Sequence, residues 1–110
     1  MYSKMITEIK EEHEYLLGYI DMVHSTLGVR LLNCAFKFHA SDEENVMRSA
    51  LYPDREAHKT EHTRIVELME KMKVTGTGEY HKAVLQAELK LHIEDYDMKL
   101  LKYLEEKSEK

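Results

Sequence analysis

Seven histidines in 110 residues are the part of this sequence best suited to chemistry. Five of them, with one glutamate, stand where the apolar stripe of a helix should continue. His39 and Glu43 are four apart, as are His58 and His62, so each pair faces one side of its helix on successive turns. His13 interrupts the stripe Ile6, Ile9, Leu16, Ile20, Val23 and Leu27. His92 interrupts Leu85, Leu89, Tyr96, Leu100 and Tyr103. Burying five imidazoles and a carboxylate without partners is expensive, and a bound metal removes that cost. Five nitrogens, few oxygens and no thiolate suit iron and argue against calcium or magnesium. A structural zinc site closes at four ligands, so six or more donors suggest two metals.

The elements that must position these groups are helices. Gly and Pro are scarce, Leu, Met, Glu and Lys are abundant, and apolar positions alternate by three and four along four segments. Turn signals at Ser25-Thr26-Leu27-Gly28, Tyr52-Pro53-Asp54 and Thr75-Gly76-Thr77-Gly78 separate them, with Gly28 suited to end the first helix. The pattern predicts one all-α domain over 1–110, an up-down-up-down antiparallel four-helix bundle with helices at about 4–25, 29–51, 54–73 and 79–106. In such a bundle, residues at one height lie equally far from the intervening turn. The midpoint of His13 and His39 is Thr26. The pairs 39/43 and 58/62 are centred beside Leu51, and the third-helix pair and His92 on Gly76. All these midpoints fall on or beside an expected turn, so the polar groups are expected in one layer of the core. A second carboxylate should come from the fourth helix. Glu88, Glu94, Asp95 and Asp97 are candidates, and periodicity does not choose among them, since Asp97 lies about 140° around an α-helix from His92.

Composition excludes several alternatives. Sixteen Lys and Arg against 21 Asp and Glu give a net charge of −5 with interspersed signs, which offers nucleic acid no electrostatic footprint. No apolar run approaches the roughly 18 residues of a membrane span. Met1-Tyr2-Ser3-Lys4-Met5 is not a signal-peptide core, so a cytoplasmic location is expected. The single Cys34 excludes an intramolecular disulfide and is expected as a small buried hydrophobe on a helix.

The order His13, then His39-Ala-Ser-Asp-Glu43, then His58-Lys-Thr-Glu-His62, then His92-Ile-Glu-Asp-Tyr-Asp97 resembles hemerythrin and its bacterial relatives. The likeness extends to Ile9-Lys-Glu-Glu-His13-Glu-Tyr-Leu16, Glu43-Glu44-Asn-Val-Met47 and Tyr52-Pro53, over roughly residues 9 to 104. Ala40 stands where that family often has Phe. The resemblance implies an oxo- or hydroxo-bridged pair of irons, one held by His58, His62 and His92 and the other by His13 and His39. Glu43 and Asp97 would bridge them. Counting those donors against two six-coordinate irons leaves one position open, on the iron with two histidines, where dioxygen would bind reversibly. Leu and Met side chains flanking the layer are expected to keep that place dry.

The same residues admit other readings. His58-Lys-Thr-Glu61-His62 fits a reversed zinc-protease motif with Glu61 as base, but leaves His13, His39 and His92 unexplained. A ferritin-type oxidase would want Glu-x-x-His pairs that the stripes lack. A metal-free structural bundle is the plainest alternative. His24 and His81 read as surface residues, and Tyr96 stands beside the layer. Given the di-iron layer, oxygen binding, storage or delivery is expected ahead of a sensor acting through a partner protein. An enzyme reducing nitric oxide or peroxide is the third possibility.

Overall fold

Residues with high helix propensity and few breakers fold here as the stripes predict. The computed structural model describes residues 3–21, 25–75 and 79–108, which form helices and contain no strand. They are α1 (Ser3–Ile20), α2 (Thr26–Ser49), α3 (Arg55–Thr75), α4 (Glu79–His92) and α5 (Met98–Ser108). A five-residue π turn, Ile93–Asp97, joins α4 to α5 without a break, so the chain forms four helical rods in a body of 47 × 23 × 18 Å. No helix among the described residues is long and apolar enough to cross a membrane.

Two helix ends differ from expectation or carry strain. The second helix starts at Thr26 rather than at 29, because Ser25 is an N-cap. Its backbone is extended, and its hydroxyl accepts the Gly28 N–H at 3.0 Å, satisfying one of the donors orphaned at a helix start. Gly28 therefore sits in the first turn of α2 instead of ending α1. At the other end, the Leu51 N–H donates to the Arg48 carbonyl and the Tyr52 N–H to that of Met47, the paired bonds of a Schellman motif. Leu51 takes φ 55° there, a position that favours glycine. Pro53 follows, and the Asp54 carbonyl accepts from His58 N–H to begin α3.

The buried side chains form two apolar clusters. One gathers Leu16, Ile20, Leu32, Phe36, Ile65, Met69, Leu85 and Leu89. The other gathers Ile9, Val46, Met47, Tyr52, Leu100 and Leu101. Along each rod a polar segment separates the two: His13, then 39–43, then 58–62, then 92–97. Burying each such Leu or Ile is worth about 1.5–3 kcal/mol, so two apolar blocks clamp a layer that cannot stabilise itself by burial. Cys34 is exposed rather than buried, because it lies off the stripe through Leu32 and Phe36.

Candidate metal centre

His13, His39, Glu43, His58, His62, His92 and Asp97 are all buried. The two carboxylates lie at the middle of the imidazoles. Asp97 Oδ2 accepts from His13 Nε2 at 2.8 Å and from His39 Nε2 at 3.0 Å, and its Oδ1 accepts from His58 Nε2 at 2.8 Å. His92 Nε2 lies 2.9 Å from Oδ1 but in a direction that makes no hydrogen bond. Glu43 Oε1 accepts from His62 Nε2 at 3.0 Å and is 2.9 Å from His39 Nε2 and 3.3 Å from His58 Nε2. The other Glu43 oxygen has no partner among the described residues. The layer expected from the midpoints thus exists as one contact network drawn from all four rods.

Asp97 reaches that layer through the π turn. The Met98 N–H donates to the Ile93 carbonyl, five residues back, and this wider winding absorbs one extra residue. Asp97 can then lie below His92 as a residue four positions on would in an ordinary helix. The other candidates do not enter the layer. Glu94 and Asp95 are exposed, and Glu88 accepts from Arg64 at 2.6 Å. Glu61 also pairs with Arg64, through both oxygens, which holds its carboxyl below the usual range. Tyr96 stacks on His92 with centroids 5.7 Å apart. The His81 side chain and His24 lie outside the described residues.

Two carboxylates of the layer's outer shell were not visible in the stripe pattern. Glu12 accepts from His39 Nδ1 at 2.8 Å, and Glu44 accepts from His62 Nδ1 at 3.3 Å. Each is the chain neighbour of an inward residue, one step round its helix, which is the only sequence signal available for them. Phe36 also meets the layer, its ring centroid 5.6–6.0 Å from those of His39, His62 and His92.

The electrostatics follow from the geometry. Burial and the nearby Asp97 push the Glu43 pKa up, but the imidazoles of His39 and His58 outweigh them and hold it well below the carboxylate range. Asp97 is opposed by burial and held low by hydrogen bonds from His13, His39 and His58 and by the neighbouring His92. Burial lowers the His58 pKa, yet Asp97 and Glu43 raise it to about 9. His39 and His92 are raised against burial by the same carboxylates, with Glu12 adding to His39. Asp42, hydrogen-bonded to Glu12 and partly buried, is pushed up to about 6.

The protons available in the layer bear on whether it suits a metal. His39 and His62 each contact carboxylates through both ring nitrogens. A neutral imidazole carries one N–H, so both contacts hold only if the ring is charged or if a cation replaces the inner proton. Several buried imidazoliums around two carboxylates would leave uncompensated charge. A divalent cation in place of those protons, held by neutral imidazoles, would balance the two carboxylates, and it would also engage the unpartnered Glu43 oxygen and His92 Nε2. His39, Glu43, His62, His92 and Asp97 offer ligand atoms within 4.8 Å of one another. His13 and His58 stand outside that tighter group, although each bonds to Asp97.

Fold and site together define an all-helical protein with a buried histidine–carboxylate cluster able to hold a metal ion. No family model, curated protein or solved structure matches the chain.

Proposed function

We propose that this chain is a hemerythrin-like di-iron protein that binds dioxygen reversibly, in an antiparallel up-down-up-down bundle in the cytoplasm. His58, His62 and His92 would hold one iron and His13 and His39 the other, with Glu43 and Asp97 shared between them. The observation that carries this reading is the convergence of five imidazoles on two buried carboxylates, with His39 and His62 bonded through both nitrogens. Nitrogen-rich donors with two carboxylates suit iron better than calcium or magnesium, and six or more donors exceed one structural zinc.

A ferrous pair would supply the two electrons that let dioxygen bind at one open coordination position and leave unchanged. The chain's own residues prepare that position. Leu16, Phe36, Met69 and Leu89 in one apolar cluster, and Ile9, Met47 and Leu100 in the other, would shield the layer from water along the bundle axis. Dryness favours release of the ligand intact over loss of a reduced oxygen species. Glu43 and Asp97, ionised despite burial, supply two negative charges to offset the cations.

Elemental analysis of the purified protein, with visible spectra recorded reduced, oxygenated and degassed, tests the proposal. Two irons per chain, with charge-transfer bands that appear with oxygen and vanish on degassing, are expected. Irreversible oxidation at first contact would move the function to sensing or to reduction of nitric oxide or peroxide. Zinc, a single metal or none would overturn it. Glu43→Ala is expected to lose most of the iron, and His81→Ala to lose none.

A further inference from the structure

We propose that Glu12 and Glu44 are positioning residues for the metal centre, each fixing a histidine supplied by the next helix in the chain. The inference rests on the di-iron reading. Glu12 precedes His13 on α1, and its carboxylate leaves that helix to accept from His39 Nδ1 on α2 at 2.8 Å. Glu44 follows Glu43 on α2, and its carboxylate accepts from His62 Nδ1 on α3 at 3.3 Å. One helix thus presents an inward ligand and, one residue away, the support for its neighbour's ligand.

The consequence is specific. A carboxylate at Nδ1 fixes the ring proton there, turns Nε2 inward with its lone pair free, and raises the basicity of the ligating nitrogen. The support falls on one histidine of each iron, His39 and His62. His58 and His92 have no Nδ1 partner among the described residues. On α3 the equivalent neighbour of His62, Glu61, is bound by Arg64 on the same helix, so the pattern stops at the last rod. Glu12 is also the better placed of the two, with its side chain 14% exposed against 27% for Glu44.

Cobalt(II) titration of the metal-free full chain provides the test, followed by visible ligand-field bands and by proton NMR of exchangeable, hyperfine-shifted ring protons. Glu12→Ala is expected to weaken one cobalt site by about 10- to 100-fold and to abolish or broaden one ring-proton signal. Glu12→Gln keeps an amide oxygen that accepts from Nδ1–H, so it should restore the signal and most of the affinity. Glu44→Ala should weaken the other site by a smaller factor, in keeping with its longer bond. Glu14→Ala, on an exposed position of α1, serves as control and should match the parent. Circular dichroism melts separate weaker binding from unfolding. If both alanine variants keep parental affinity and all ring-proton signals, this inference falls while two bound cobalt ions leave the di-iron reading standing. A parent chain that takes up no cobalt overturns both.

Discussion

The third rod and the last solve one problem in different ways. In α3, His58 and His62 are four residues apart in an unbroken α-helix, and both meet Glu43. In the last rod, His92 and Asp97 are five apart and still meet the same layer, because Ile93–Asp97 winds as a π turn. An α-helix would carry Asp97 about 140° away from His92. The difference shows that facing, not spacing, is what the layer selects. π turns are poorer in energy and persist where surrounding contacts over-determine them. Here Asp97 accepts from three imidazoles on one side. On the other, Tyr103 anchors α5 by donating from its hydroxyl to the Ala50 and Leu51 carbonyls at 2.8 and 3.1 Å.

Removing one member from each rod separates the two arrangements most clearly. Asp97→Ala should destabilise the metal-free chain by about 3–5 kcal/mol, since it leaves several imidazoles buried without their counter-charge. It should also abolish metal binding. His62→Ala removes one ring whose carboxylate partner, Glu43, retains His39 and His58, so its denaturation midpoint should fall less. Equal losses in urea melts would mean that the π turn is not holding the more valuable group.

Acidity gives the next largest effect, and its sign differs between metal-free and loaded protein. The folded pKa of His58 is raised to about 9 from an ordinary 6.5. Its contribution is therefore complete below about pH 6.5 and lost as pH rises through about 9, on the order of 3 kcal/mol. Glu43 and Asp97 are held low, so their contribution is present above the ordinary carboxylate range and lost as pH falls below it. The metal-free chain should be most stable between these limits and its melting temperature should drop from pH 7 to 9.5. Metal affinity should rise over that same interval, because ligation needs unprotonated imidazole. Melts and metal titrations at matched pH values that moved together would contradict the charged layer.

How far this was legible depends on the rod. His13, His39, Glu43, His58, His62 and His92 stood on stripes of regular period, and the turn midpoints placed them at one height without any structure. Asp97 did not, because period counting assumes about 100° per residue and a π turn violates that assumption in one place. Only the resemblance to hemerythrins pointed to it. Glu12 and Glu44 were missed because a stripe marks what faces the core, and these side chains reach sideways to the next helix. Ser25 has the composition of a turn residue, yet its hydroxyl starts α2. Residue type alone predicts a buried Cys34, whereas its angle to Leu32 and Phe36 puts it on the exposed side of α2.

Deleting Glu94 perturbs the last rod less. Glu94 is exposed within the π turn, and its loss shortens the separation of His92 from the aspartate to four. The last rod should then wind as an ordinary α-helix with the aspartate still inward, as in α3. Metal stoichiometry should be retained, and amide protection across 92–98 should rise as the weak segment disappears. Loss of metal would mean that the π turn supplies a direction an α-helix does not.

The smallest effect expected comes from the anchor beyond the turn. Tyr103→Phe keeps the ring against Tyr52, 5.1 Å away between centroids, and removes only the hydroxyl. Of the two carbonyls it leaves at the end of α2, that of exposed Leu51 can take water in its place, while buried Ala50 loses its side-chain donor. The loss should therefore be about 0.5–1.5 kcal/mol in a denaturant melt. If α5 held its register by apolar packing alone, metal affinity would be unchanged. If the hydroxyl helps to keep the extra residue wound into the π turn, affinity should fall further than this stability loss accounts for, and the combination with the Glu94 deletion should restore it. A double-mutant cycle on metal affinity separates the two, because only coupling through the π turn makes the effects non-additive.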